Sequence, residues 1–231
     1  MYGLFIGIHC ADGSIPKYRR QNKYLWEFRD EFEEAAELVA ELIRNLFGVN
    51  PHKKKRGNAY VVYVTSKKFW LFLTQELKLP IGEKSETIDM PETLSKEEWK
   101  DFVNGVIGAD GTIFKDTNGT PRIRLNIRSK KLRDRISQIL NSFGVHHTIG
   151  ESIEKSRPPR SRKVYERKFY RLDIYGENVI KYFEIFGIWH PVQKRKLESI
   201  INNFVQRVRE TGGLPEKGTA CRENPPQGKR D

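Results

Sequence analysis

The sequence predicts an α+β fold made of two pseudo-symmetric αββαββα repeats, and three observations predict it. The stretch Phe5–Gly13, FIGIHCADG, returns as Val103–Gly111, VNGVIGADG, with the two aspartates 98 residues apart (110 − 12). Behind each copy, alternating stretches and helical stripes follow in the same order. Charge is sorted as well: acidic residues gather on one helix face and basic residues on strand faces.

The elements can be justified in turn. After the first motif, Lys17–Arg20 forms a charged loop. From Lys23 to Arg29 the chain alternates, with Tyr24, Trp26 and Phe28 on one face and Lys23, Glu27 and Arg29 on the other. Asp30 is expected to N-cap the next helix. That helix carries an apolar stripe from Phe32 through Ala35, Ala36, Val39, Leu42 and Ile43 to Leu46, and stops at Gly48. Its acidic face bears Glu31, Glu33, Glu34, Glu37 and Glu41, the side that turns from a polyanion. His52–Asn58 reads as a basic turn, Tyr60–Thr65 as a strand and Lys67–Leu77 as a helix. An irregular connector spans Pro80–Pro91, and Ser95 with Glu98 makes a capping box for the second motif.

The second half runs the same course. Asn118-Gly119 marks a hairpin. Arg122–Arg128 alternates strictly, and Ser129 caps a helix bearing Leu132, Ile136, Ile139, Leu140 and Phe143. Residues 151–163 read as an insertion rich in Arg, Lys and Pro, Lys168–Tyr175 as the last strand, and Glu177–Phe186 and Pro191–Val205 as helices. The expected division is 1–90 for the first repeat, 91–205 for the second and 206–231 for a disordered tail.

Composition bounds the partner. The chain has 42 Lys and Arg against 30 Asp and Glu, a formal charge of +12. This balance suits a polyanion such as nucleic acid, or an anionic membrane surface. No apolar run reaches membrane-spanning length and no signal peptide is expected, so an intracellular setting follows. Only Cys10 and Cys221 are present, which builds no disulfide framework, and the five histidines show no zinc spacing with them. The histidines are assigned structural or surface roles.

The repeated motif carries the chemistry. An apolar helix with a central glycine admits another backbone, so Gly7 and Gly105 could bring two such helices together. Asp12 and Asp110 would then stand at the same end of the pair. Neighbouring carboxylates repel unless protons or cations lie between them, and hard oxygen donors suit Mg2+. The plainer reading is two Asp-Gly turns. It fits one copy well, and two copies with matched flanks poorly.

These motifs resemble those of the LAGLIDADG homing endonucleases of the monomeric, two-repeat kind, particularly archaeal intron-encoded members. FIGIHCADG and VNGVIGADG agree at the central Gly, the Ala and the terminal Asp-Gly, and depart at Cys10 and Gly108. The resemblance covers about residues 1–203. It implies two saddle-shaped sheets joined by the motif helices, two or three divalent ions (Mg2+, with Mn2+ substituting and Ca2+ supporting binding without cleavage), and short 3′ overhangs across the minor groove. It implies metal binding by Asp12 and Asp110 with the carbonyls of Ala11 and Ala109. By aligning the repeats, Lys84 and Lys194, from the connector after each fourth strand, are nominated as the basic residues that ring the catalytic pocket, stabilising the scissile phosphate and tuning water. Arg29 and Arg128 are nominated at the ends of the second strands, against the simpler reading of phosphate contact.

Arg122, Arg124, Asn126 and Arg128 are the best base readers, since Arg matches guanine and Asn matches adenine. Lys23, Glu27 and Arg29 form the equivalent face of the first repeat, and Tyr63, Thr65, Arg171 and Asp173 line the outer strands. Lys17, Arg19, Arg20, the Lys53, Lys54, Lys55, Arg56 turn and Arg160, Arg162 and Lys163 are assigned to phosphates, which position without specifying. The expected partner is double-stranded DNA with a long, near-asymmetric site, bound by a monomer in the cytoplasm or on the nucleoid, with no membrane. Intron RNA, served by a maturase, and an idle DNA-binding protein are the alternatives.

Overall fold

A computed structural model describes residues 2–17, 24–156 and 165–211. Helix α1 (Tyr2–Ala11) leads into β1 (Gly13–Ser14), β2 (Leu25–Asp30), α2 (Glu33–Phe47), β3 (His52–Arg56), β4 (Ala59–Thr65) and α3 (Lys67–Leu71), which widens into one π-helical turn (Phe72–Glu76). The connector and a 3-10 turn (Lys96–Glu98) lead to α4 (Trp99–Asp110), β5 (Gly111–Lys115), β6 (Pro121–Ile127), α5 (Lys130–Ser142), β7 (Thr148–Ser156), β8 (Tyr165–Tyr175), α6 (Glu177–Phe186) and α7 (Pro191–Thr211). The two sheets are antiparallel and ordered alike, β1-β2-β4-β3 and β5-β6-β8-β7. This is the α+β duplication that the motifs and alternation imply.

Alternation explains the layering. On β6, Ile123, Leu125 and Ile127 are buried, whereas Arg122, Arg124 and Asn126 face outward. On β2, Trp26 and Phe28 are fully buried beneath α1 and α2. Burying one face of each sheet under helices removes apolar area from water at about 25 cal/mol per Å2. It leaves the opposite face polar and open.

The joint is α1 against α4. A Cβ on Gly7 would collide with the Phe102 carbonyl and lie 2.9 Å from the Gly105 Cα. One on Gly105 would lie 2.5 Å from the Leu4 carbonyl oxygen and 2.8 Å from the Gly7 Cα. The two backbones therefore touch where the sequence repeats its glycine.

Several expectations need correction. Asp30 does not cap α2: the cap position is Phe32, and Asp30 Oδ1 accepts the Phe32 N–H at 2.7 Å as a turn. Phe32 is exposed rather than part of the buried stripe. Lys53–Arg56 are not in a turn but on edge strand β3, where lysines blunt an open edge. Residues 151–156 belong to β7 rather than an insertion, because their backbone pairs with β8 out to Ser156–Tyr165. Residues 206–211 continue α7 and are helical. The capping box at Ser95–Glu98 and the Ser129 cap are both present, the first on the 3-10 turn that precedes α4.

Candidate functional site

Asp12 and Asp110 emerge where α1 and α4 end, one from each repeat, and both reach solvent. Surrounding protein still disfavours their ionised forms. Crowding first, then the charges of Asp110 and Asp30, push Asp12 up to about 7, against the opposing pull of Lys84 and His190. Partial burial pushes Asp110 up to about 6, and Lys84 opposes it. A carboxylate pair held so close to neutrality is short of positive charge.

Lys84 supplies some of that charge. Its ammonium donates to the Cys10 carbonyl at 2.5 Å and the Ala11 carbonyl at 2.9 Å, at the end of α1. Helix C-termini favour cations, so the placement is physically sound. Burial lowers the Lys84 pKa, and Cys10, Asp110 and Asp12 pull it back. The same burial drives the Cys10 thiol up to about 12, which makes it an inert packing group.

Among the described residues, no three His, Cys, Asp or Glu side chains converge into a metal cage. The donor set still fits a hard divalent ion: two crowded carboxylates, with backbone carbonyls beside them, would leave room for water and phosphate oxygens. Such an open site differs from a closed structural one.

The second repeat does not copy the first. Lys194 lies on the exposed side of α7, its N–H bonded to the His190 carbonyl, and not in a connector as the repeat alignment expects. Trp189 instead covers the end of α4. Its Nε1 donates to the Gly105 carbonyl at 3.1 Å, and its ring occupies the space that a side chain at Gly108 would need.

Register also redraws the strand pairs. Gly13 pairs with Phe28 and Gly111 with Leu125, so Glu27 corresponds to Arg124, Arg29 to Asn126 and Asp30 to Ile127. One residue lost between the repeats puts Arg128 outside β6, opposite in role to Glu31 rather than Arg29. It binds Ser85 Oγ at 3.2 Å, Glu83 at 3.7 Å, and Glu86.

Two residues escaped the sequence reading. Buried His190 and half-buried Asp30 form a pair, Nε2 to Oδ2 at 3.1 Å, across 160 residues of chain. Gln193 N–H donates to His190 Nδ1 at 3.4 Å, which assigns the ring proton to Nε2. Register alone could have flagged Asp30, two residues beyond the partner of Gly13; nothing periodic marks His190.

On the open faces, Arg29 and Arg56 each lie 3.7 Å from Glu27. Arg124 and Arg171 hold Asp173 at 2.6 and 3.0 Å. Arg122 pairs with Asp116 at 3.2 Å. Lys54 lies over the Tyr63 ring, Tyr63 stacks on His52, and Thr65 ends β4 exposed. Lys53 points to the helix side, held by Glu33 at 2.9 Å and Glu37 at 2.6 Å. Lys55 alternates to that side with it and lies over Tyr60. Lys17 is exposed. Arg19, Arg20, Lys23, Arg160, Arg162 and Lys163 lie outside the described residues.

Two repeated sheets joined by glycine-packed helices, with an aspartate from each at the joint, define the class. A model of the LAGLIDADG-like domain matches residues 98–187, and one of the WhiA LAGLIDADG-like domain matches residues 1–71. The chain belongs to the LAGLIDADG family. It is 28% identical over 202 residues to a probable translation initiation factor IF-2 of Methanocaldococcus jannaschii; that stretch is 85% of this chain and only 16% of the relative. It is 23% identical over 154 residues to homing endonuclease I-ApeI of Aeropyrum pernix, 64% of this chain and 68% of that protein. In fold it is similar to I-DmoI in complex with DNA and Ca, with a TM-score of 0.54, 18% identity, and coverage of 85% of this chain and 96% of that one. A second I-DmoI complex, with DNA and Mn, gives 0.52 at 18% identity over 80% and 94%. No helix among the described residues is long and apolar enough to cross a membrane.

Proposed function

We propose that the chain is a monomeric, site-specific endonuclease that cuts both strands of a long, near-asymmetric DNA site using divalent metal. The observation that carries this reading is the pair of raised carboxylates, one from each repeat, flanked by two polar sheet floors. The names of I-ApeI and of the DNA-bound I-DmoI complexes support the substrate class.

Asp12 and Asp110 would hold the metal, with the Ala109 carbonyl and, once Lys84 turns from it toward the phosphate, the Ala11 carbonyl as further ligands. Mg2+ there supplies a polarised water and neutralises charge on the scissile phosphate. The chain's own groups do the rest. Lys84 adds positive charge at the same end of α1, available to an anionic phosphate oxygen as charge develops. The sheet faces, not the joint, would fix register on the DNA and read bases in its major groove. By the family resemblance, the joint would meet the two scissile phosphates across the minor groove and leave short 3′ overhangs.

The test is Asp12→Asn and Asp110→Asn, on a target selected from a randomised duplex library. Cleavage of both strands in Mg2+ should fall by orders of magnitude, whereas gel-shift binding in Ca2+ should persist. Full cleavage by either variant would remove the aspartates from the mechanism. Binding by the wild-type chain without cutting would instead favour an idle DNA-binding protein.

A further inference from the structure

Asp173 is a buried carboxylate in the middle of a surface that must meet a polyanion, and nothing in the cleavage reading needs a negative charge there. It is only 5% exposed. Its two oxygens are shared between two arginines. Arg124, its direct partner across β6 and β8, donates Nε to Oδ1 at 2.6 Å and Nη2 to Oδ2 at 3.4 Å. Arg171, two residues earlier on β8 and so on the same face, lies with Nε 3.0 Å from Oδ2.

The two guanidiniums meet different neighbours on their other sides. The Arg124 guanidinium lies 5.5 Å from the centre of the Phe114 ring. Arg171 lies opposite no side chain at all on β7: Gly150 is there, and a Cβ would sit 3.2 Å from the Arg171 Nη2. The Gly150 carbonyl is itself held by Arg133 at 3.3 Å. Arg171 thus spends its Nε on Asp173 and Arg124 its Nε with one Nη2 hydrogen, and each keeps its other Nη hydrogens for a ligand outside. That outward edge is the one that reaches guanine O6 and N7 in two parallel bonds.

We infer that Asp173 is a specificity-determining positioning residue: it touches no base, and it locks Arg124 and Arg171 as a paired fork for two guanines about two base steps apart or closer. The inference rests on the DNA-cleaving reading. An ordered guanidinium loses less side-chain freedom on binding than a free one, so orientation is settled before DNA arrives. It also explains why an acid is tolerated on this face. Its charge is more than matched by the two cations it holds.

The experiment compares base preference, position by position, for the wild-type protein, Asp173→Asn, Arg124→Lys and Arg171→Lys. Asn keeps the shape of Asp but offers the arginines one acceptor instead of two and no charge. Discrimination for guanine should fall about tenfold at the positions that the two lysine variants also relax, while affinity for unrelated duplexes stays within about twofold. A second measurement needs no DNA. Nitrogen-15 spectra of the free protein should show slowly exchanging Nε–H groups for Arg124 and Arg171 in the wild type, and fast exchange for both in Asp173→Asn. If Asp173→Asn keeps full guanine preference where the lysine variants lose it, or weakens every sequence alike, or if the wild-type Nε–H groups already exchange fast, the buttress is overturned. A wild-type protein that prefers no sequence at all removes the base-reading frame, and this inference with it.

Discussion

The two sheet floors solve the same problem with the charges exchanged. In the first repeat the buried acid is Glu27, on the inner strand β2, with Arg29 and Arg56 each 3.7 Å away and themselves largely exposed. In the second it is Asp173, on β8, and its arginines stand at 2.6 and 3.0 Å. Glu27 occupies the register of Arg124, and Tyr63 that of Asp173. Pairs at such long range, with the arginine ends in solvent, contribute little. The first floor is therefore looser, and its arginines are freer to follow phosphates. The difference teaches that duplication conserved a layout, an acid between two cations, and not the residues that build it.

The same asymmetry reaches the joint. Lys84 crowns α1, whereas Trp189 crowns α4. Lys84→Met should lower cleavage on the order of 10²–10³-fold with binding retained, and Lys194→Met should leave it unchanged. Equal losses in strand-resolved cleavage assays would restore a symmetric pair of lysines.

Next in size is the seam. Gly7→Ala and Gly105→Ala each drive a methyl into the other helix's backbone, so each should destabilise by at least about 1–3 kcal/mol in denaturant unfolding. Gly48→Ala, at a helix end with open space but a left-handed φ of 61°, should cost less. The reverse order would mean that the helices do not touch through glycine.

The raised carboxylates give a pH signature. Asp12 and Asp110 hold protons in the folded state up to about 7 and about 6, but unfolded only to 3.8. The folded state therefore binds more protons across that window, and their contribution to stability falls as pH rises through it. In metal-free buffer the double Asn variant should gain stability relative to wild type as pH rises from about 4 to about 7, and the difference should be constant below pH 4. A pH-independent difference would mean the carboxylates are unperturbed. In Mg2+, cleavage should decline as pH drops from 7 to 6, when protons displace the ion.

Smaller effects separate neighbours on β3. Lys54→Ala should reduce the slope of log affinity against log salt by about one, and Lys53→Ala should leave it unchanged, because Glu33 and Glu37 hold Lys53 on the helix side. Smallest of all, Arg195→Ala removes an exposed pair with Glu34 and should leave the denaturant midpoint unchanged.

Much of this was legible in the sequence where period and spacing act locally. The repeated glycine, the strict alternation of Arg122–Ile127 and the caps at Ser95 and Ser129 correspond directly to contacts. What stayed hidden was set by partners far along the chain. His52–Arg56 has the composition of a turn, and only pairing with β4 makes it a strand. The charged residues 151–156 extend as a strand because β8 supplies their hydrogen bonds. Lys194 stands on a helix rather than in a connector, because alignment assumes that the copies kept equivalent groups, whereas Trp189 packs on the end of α4. The Asp30–His190 pair joins strand and loop across the joint, which no window of sequence contains.

The glycine crossing has a further consequence for how such chains can be recombined. Each motif helix ends its own repeat's core and also serves as the wall of the other's, with backbone against backbone and no side chain to trim. A half taken from a relative and joined to either half of this chain must present a bare α-carbon at the crossing, at the same height above its aspartate. Otherwise the helices stand apart and the two carboxylates no longer share one pocket. Exchange of halves is therefore governed by the few bare α-carbons of the seam, Gly3, Gly7 and Gly105, rather than by the wide faces that would meet DNA.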